Sequence, residues 1–257
     1  MKPRLLMSPP VDHGASDATR QWERLVELIR CAGDCQIEFV DAQTASSTLP
    51  STAHAALVHE RLVILADAPG ARAKYRAWFA HNGFAVTTLA GAAFGGASDA
   101  LYDRRRPLVY VGYGHRTDRD AALQLAALTG VRALPLELVD PRFAHLDTAL
   151  CPLGSGHLLV HLPAFAPAAE RLLRRTIAPE YLVEISAQDA AELACNLLEI
   201  GDAAILASAS GRLRRRLHAL GYRVFTTDLS AFSTGGASAR RLTLRLDDGP
   251  CSNGAAA

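Results

Sequence analysis

Four paired apolar runs, set at a nearly constant spacing, constrain this chain more than any single residue does. AALVHERLVILA begins near Ala55, DALYDRRRPLVYVGY near Asp99, TALCPLGSGHLLVHL near Asp147 and ACNLLEIGDAAILAS near Leu193. Successive starts lie about 45 residues apart, which marks repeated supersecondary units. The runs within a pair are split by Arg-rich, Gly-Ser-Gly or Gly-Asp stretches, the chemistry of a hairpin turn. Helical stretches lie between the pairs. TRQWERLVELIRCAGD leads to QIEFV, ARAKYRAWFAHNG to FAVTTL, RDAALQLAALTG to VRALPLELV, and SGRLRRRLHALG to YRVFTTDL. The Gly after each helix is the expected left-handed stop, and the β-branched and aromatic residues beyond it suit a buried strand. APAAERLLRRTIAPEYLVEI follows the same scheme with Pro179 as the stop.

The order is therefore roughly ββαβ, five times over. The last apolar run, RLTLRL near Leu242, falls at the next interval but carries a single strand, so its expected partner is RLLMS near the N-terminus. A ring closed by its first and last strands leaves no unpaired edge. The expectation is an α/β fold, a five-fold pseudosymmetric α/β propeller of ββαβ repeats. It would form one domain over residues 1–248, followed by a disordered Gly/Ala/Ser-rich tail over 249–257. Helix–strand alternation alone also fits a doubly wound parallel sheet. The hairpin in every unit favours the ring.

Composition narrows the function classes. The 257 residues are 49% apolar, with 27 Lys+Arg against 26 Asp+Glu and a formal net charge of +1. So even a balance gives no global field for nucleic acid or an anionic membrane. The Arg runs at 104–106 and 214–216 read as a hairpin turn and a solvated helix face, without the aromatic platforms of a nucleic-acid binder. No apolar run approaches the roughly 18 residues of a membrane span. MKPRLLMSPP is too short in its apolar part for a secretory leader. A cytoplasmic protein is expected. Five Cys at unrelated spacings argue against a disulfide framework. Cys151 and Cys195, in apolar runs, read as small buried hydrophobes. Cys31 and Cys35 lack a second ligand pair for zinc, so neither metal nor cofactor is expected.

A ring of hairpins puts polar residues at strand starts around one central cavity, about one per repeat. Five places fit. Asp99, after the Gly-rich AFGGAS, can face a cation or simply cap a turn. His145 lies in LVDPRFAHLDTALCPL, which also packs Asp140, Arg142, Asp147 and Thr148 between apolar flanks. It can act as a general acid or base with a carboxylate fixing its tautomer, or be a satisfied structural histidine. Arg116, in VGYGHRTD, can clamp a carboxylate or lie in solvent, with Thr117 or Asp118 capping the next helix. His54 precedes the AALV run. In STGGASARRLTLRL, Arg240 and Arg241 enter the last strand, where alternation points one of them into the cavity.

With those motifs in view, the chain resembles the guanidino-group-modifying superfamily, the penteins, in particular proteins akin to dimethylargininase, arginine deiminase and the amidinotransferases. MSPP, TAHAALV, FGGASDALYD, VGYGHRTD, LELVDPRFAHLDTALCPL, ACNLLEIGDAAIL and STGGASARRLTLRL come in family order and spacing. The resemblance implies a five-bladed ββαβ ring. In the family a carboxylate grips a guanidinium, a histidine shuttles protons and a cysteine attacks the guanidinium carbon. Carried over, Asp99 is the guanidinium carboxylate, His145 the acid/base and Arg116 the partner of a substrate α-carboxylate. Asp147 and His54 join the substrate site.

The chain departs from the family pattern where its chemistry begins. Aligned on LTLRL, the cysteine position holds Arg241. Gly95 stands where a glutamate is expected, Ser98 for a glycine and His54 for an asparagine. Arginine keeps its proton and has no lone pair to attack with. Beside a guanidinium at about 4 Å it would repel by roughly 4 kcal/mol at an effective dielectric of 20, on the order of a thousandfold in affinity. Two expectations follow. In the first, Arg241 points inward and pairs with Asp99, thiol-dependent hydrolysis is absent, and the chain is a pseudoenzyme or binding protein for an amino acid, a guanidine-like or anionic ligand, or a protein partner, a second copy included. In the second, it is an enzyme with altered acid/base chemistry on an already modified arginine such as an N-oxygenated guanidine.

Overall fold

The computed structural model of the protein describes residues 2–10, 16–40, 51–67 and 71–249. Five three-stranded sheets share one topology. The second runs β3 (Ala56–His59), β4 (Leu62–Leu65), α2 (Arg72–His81) and β5 (Ala85–Thr88). The third runs β6 (Ala100–Tyr102), β7 (Leu108–Tyr113), α3 (Ala121–Thr129) and β8 (Arg132–Glu137). The fourth runs β9 (Leu150–Pro152), β10 (Leu158–Val160), α4 (Pro167–Thr176) and β11 (Leu182–Glu184). A short α5 (Ala187–Ala191) precedes the fifth, β12 (Leu198–Ile200), β13 (Ala203–Leu206), α6 (Gly211–Ala219) and β14 (Arg223–Thr226). In each, the first two strands pair antiparallel as a hairpin and the third joins parallel. The parallel step is why a helix must intervene, since a parallel neighbour needs a crossover connection.

The remaining sheet combines both ends of the chain. β1 (Arg4–Met7) pairs parallel with β2 (Gln36–Phe39) across α1 (Asp17–Ala32), and antiparallel with β15 (Thr243–Arg245), which follows the short α7 (Ser230–Ser233). Leu6 stands opposite Leu244. The expected pairing of RLTLRL with RLLMS is present. Helix α1 shows how each crossover seats itself. Ser16 Oγ accepts the Thr19 amide at 3.2 Å as an N-cap, and Trp22, Leu25, Val26, Ile29 and Ala32 form its buried stripe. Middle strands such as β13, buried throughout, read as unbroken apolar runs because helices or neighbouring sheets cover both faces.

The core among the described residues divides into five apolar clusters, each between two sheets. Leu6, Leu244, Val58 and Phe79 join the first sheet to the second. Leu57, Ile64, Tyr102 and Val109 join the second to the third, and Tyr110, Leu136, Leu150 and Leu158 the third to the fourth. Leu159, Cys151, Cys195 and Ala204 join the fourth to the fifth. Leu198, Ile205, Leu5 and Leu25 join the fifth back to the first.

Some local expectations change. Gly130 ends α3 in the left-handed region at φ 70°, but Gly33 after α1 is extended at φ −176°, packed so closely that an added Cβ would fall 2.9 Å from Ile200. Neither Thr117 nor Asp118 caps α3, whose N-cap position is Asp120. Arg240 and Arg241 precede β15, and Cys195 precedes β12, rather than lying in those strands. Of the supposed tail, Gly249 is described and residues 250–257 lie outside the described residues.

Leu6 is fully buried at the junction of the chain ends, while Leu123 on α3 is 75% exposed. Truncating Leu6 to Ala is expected to lower stability by about 2–5 kcal/mol in urea unfolding. Leu123→Ala should shift it by less than about 0.5 kcal/mol.

Candidate active site

The chain makes a tight turn before the first strand of each hairpin, and these turns carry the polar residues. His54 lies in the 3-10 turn Thr52–Ala55 before β3, Asp99 follows the turn Gly96–Ser98 before β6, and Asp147 lies in the turn Leu146–Thr148 before β9. Asn196 precedes β12 and Arg241 precedes β15. Gly96 shows why one such turn needs glycine. Its φ is +66°, and a Cβ there would fall 2.8 Å from the carbonyl oxygen of Ala53 in the preceding repeat.

A cavity of about 1340 Å³ opens among these turns. His54, Gly95, Arg116, His145 and Arg241 line it, and Asp99 and Asp147 do not. Asp99 is 1% exposed and stands behind His145. Its Oδ1 accepts the Leu146 amide at 3.0 Å, and its Oδ2 accepts the Thr117 hydroxyl at 2.7 Å. His145 Nδ1 lies 3.1 Å from Oδ1 and 3.2 Å from Oδ2. An ionised carboxylate only accepts, so Nδ1 carries the hydrogen and Nε2 is left with the lone pair. Thr117 Oγ1 also accepts the Gly95 amide at 2.9 Å, tying this dyad to the Gly-rich loop. A Cβ on Gly95 would overlap Asp99 Oδ2 and lie 3.3 Å from His145 Nδ1. The bare glycine is thus the space that the Asp99 carboxylate occupies.

Arg241 is 1% exposed, and its guanidinium pairs with Asp147, not with Asp99. Nε donates to Asp147 Oδ2 at 3.1 Å and Nη2 donates to Oδ1, while Nη1 makes a long 3.4 Å bond to the Gly235 carbonyl. Asp99 is unavailable because the histidine, the hydroxyl and the amide already hold it. Asp147 sits in the next repeat, fully buried, where only a charged partner offsets its desolvation. Arg241 holds that carboxyl below its ordinary range against the opposing effect of burial.

Asn196 was not among the residues singled out from the sequence. Fully buried, its Oδ1 accepts the amides of Ser238 at 2.9 Å and Arg241 at 3.0 Å. It shapes the turn that aims Arg241. The spacing that located the other sites reaches ACNLL as well, and extending it one residue into that motif would have found Asn196. Arg116 is exposed at the cavity wall.

His54 stacks on His145 with ring centroids 4.3 Å apart, and its Nε2 is buried without a hydrogen-bond partner. Burial first, then His145 and Arg241, push its pKa down to about 3, so its ring is neutral at physiological pH. The two fully buried thiols, Cys151 and Cys195, are inert by the same physics. Burial pushes Cys151 up to about 12 and Cys195 well above the ordinary thiol range.

His54 generates a pH dependence of stability. Its folded pKa of about 3 lies below the ordinary 6.5, so between those values the unfolded chain binds the extra proton. Its contribution is complete above pH 6.5 and is lost as pH falls, at about 1.4 kcal/mol per unit. Urea midpoints of the His54→Gln variant should fall less steeply than those of the parent between pH 6.5 and 4.

Comparison with known proteins places this geometry. Residues 78–241 match the sequence profile of the N,N-dimethylarginine dimethylhydrolase family, eukaryotic type. The chain is 34% identical over 90% of its length to a bifunctional arginine dihydrolase/ornithine cyclodeaminase, AgrE, of Nostoc sp. strain PCC 7120. It is 28% identical over 96% of its length, and 80% of the relative's, to the dimethylarginine dimethylaminohydrolase of Mycobacterium tuberculosis. It spans 33% of AgrE and 38% of a second bifunctional relative, ArgZ of Synechocystis. The crystal structure of the N-terminal domain of a Cys-to-Ser mutant of ArgZ bound to substrate, described as an arginine dihydrolase from cyanobacteria, superposes with TM-score 0.88 at 31% identity, over 98% of this chain and 100% of that one. These relatives overturn the expectation of a pseudoenzyme or binding protein, because the proteins that share the whole of this fold are named as enzymes of arginine and one is solved with its substrate in place. The mixed α/β fold, the ordered turns and the relatives together establish that the chain belongs to the dimethylarginine dimethylaminohydrolase family.

Proposed function

We propose that this chain is an enzyme that hydrolyses a carbon–nitrogen bond at the side-chain end of an arginine-class amino acid, with His145 as acid/base and water as nucleophile. The observation that carries this reading is the His145–Asp99 dyad. Nδ1 is held at 3.1 Å by a buried carboxylate, and His145 lines the cavity. The substrate class comes from relatives named as arginine dihydrolase and dimethylarginine dimethylaminohydrolase.

Arg241 carries no lone pair, and among the described residues no thiol lines the cavity. Water is the nucleophile this wall can activate. The neutral His145 Nε2 takes its proton as the oxygen attacks the trigonal carbon, and the resulting imidazolium is stabilised by Asp99. The tetrahedral carbon then expels one nitrogen, which receives that proton from His145 and leaves as an amine or ammonia. Exposed Arg116 meets the α-carboxylate through its planar donor fork. The five sheets stand as blades of one α/β propeller forming a single domain over residues 1–248. The five clusters that link each sheet to the next and the last to the first support that arrangement.

Purified protein incubated with a panel of arginine-class amino acids, read by ammonia release and mass spectrometry, should turn over at least one. His145→Ala should reduce that rate by about 10²–10⁴-fold. Absence of turnover across the panel, or activity indifferent to His145, would contradict the proposal. Gly95→Ala, which displaces the Asp99 carboxylate, should lower kcat at least tenfold and leave KM nearly unchanged.

A further inference from the structure

We infer that the inner wall of the cavity selects a neutral ureido end group over a guanidinium. This rests on the reading above that the site takes an arginine-class amino acid, and concerns which member it prefers.

The carrying observation is the order of charges from the wall inward. At two places a buried acid is covered by a basic side chain that faces the cavity. His145 stands in front of Asp99, and Arg241 stands in front of Asp147. Both carboxylates are spent. Asp99 accepts from Thr117, Leu146 and His145, and Asp147 is gripped by two guanidinium nitrogens. Gly95 offers no acid, and the space its side chain would need is filled by Asp99. The acids that do line the cavity, Asp67, Glu192 and Asp228, lie at the exposed rim with polar partners of their own. A guanidinium reaching the inner wall would therefore give up its hydration without meeting a free carboxylate.

A ureido group meets complementary chemistry there. It replaces one cationic nitrogen with a carbonyl oxygen, an acceptor. Arg241 Nη1, whose one bond among the described residues is the 3.4 Å contact with Gly235, is a donor with capacity to spare. His54, its ring neutral, offers the buried and unpartnered Nε2 to an uncharged NH2 group. The reaction supports the same choice. Water attack on a ureido carbon turns its carbonyl oxygen into an oxyanion, which a fixed cation stabilises. Attack on a guanidinium carbon gives a neutral adduct that gains nothing from one. The balance is water plus ureido compound giving an amine or ammonia plus a carbamic acid, with the proton relayed by His145.

Calorimetric titration of the wild-type protein with L-citrulline, L-arginine and L-2-aminoadipate tests this. Citrulline should bind at least tenfold more tightly than arginine and than aminoadipate. Arginine binding as tightly as citrulline would overturn the inference while leaving the proposed function standing, and tighter aminoadipate binding would overturn it in favour of an anionic end group. No binding of any of the three would sink both. In Arg241→Gln, which frees Asp147, the citrulline-to-arginine preference should shift at least tenfold towards arginine. Arg241→Lys should keep the parent's order, and an unchanged ratio in Arg241→Gln would also overturn the inference. The wild-type ratio decides the matter even if Arg241→Gln does not fold.

Discussion

The pairing of β15 with β1 is the contact on which the site depends. It puts Thr243 opposite Met7 and so anchors the turn just before Thr243, which carries Arg241. Asn196 then fixes that turn from the neighbouring repeat by accepting two of its amides. Without the terminal strand pair, Arg241 would have no rigid base, and Asp147 would be left as an uncompensated buried charge. The tertiary closure and the electrostatics of the cavity are therefore one structural problem. An apolar cluster between the fifth and first sheets, and another between the first and second, hold the solution in place.

Repetition explains how turns from separate repeats meet around one cavity. Each hairpin begins with a compressed turn that carries one polar side chain; His54 and Arg241 reach the cavity, while Asp99, Asp147 and Asn196 stand behind its wall. In the turn before β9 the backbone is satisfied locally, the Thr148 amide and hydroxyl both donating to the His145 carbonyl, which leaves the Asp147 side chain free to be used elsewhere. Gly96 permits two such turns to touch, through the Ala53 carbonyl.

Much of this was legible in the sequence because it is periodic. The ββαβ order, the partnership of the first and last strands and the placing of His54, Asp99 and Asp147 at turns before strands all follow from apolar spacing and turn chemistry. The pairing of charges was not legible. The sequence expectation pairs Arg241 with Asp99, and the choice falls to Asp147 because Asp99 is already saturated. Thr117, Leu146 and His145 claim Asp99 from three separate segments. Nothing local in the sequence signals that convergence. Asn196 escaped for a related reason. Its work is done on backbone amides of another repeat, so the repeat spacing alone, and not the residue types near it, points to it. Nor does the loss of one nucleophile decide whether a chain is an enzyme. Relatives named as enzymes overturn the expectation of a pseudoenzyme, and under the proposed function the dyad supplies a route that needs no sulfur.

The residues at positions 54, 95 and 241, which the resemblance implies are departures from the family pattern, are coupled by physics rather than independent. An arginine at 241 brings a buried cation, which Asp147 must neutralise. A glycine at 95 opens the volume into which Asp99 leans, and that lean brings Asp99 onto His145. With both acids committed, a second imidazole beside His145 is tolerable only if it stays uncharged, and the burial of His54 ensures that it does. Changing position 95 or 241 alone would therefore create a conflict. A side chain at 95 would collide with Asp99, and a neutral residue at 241 would strand Asp147. The three residues make sense as one arrangement, in which basic side chains face the cavity and the two acids they pair with stand behind them.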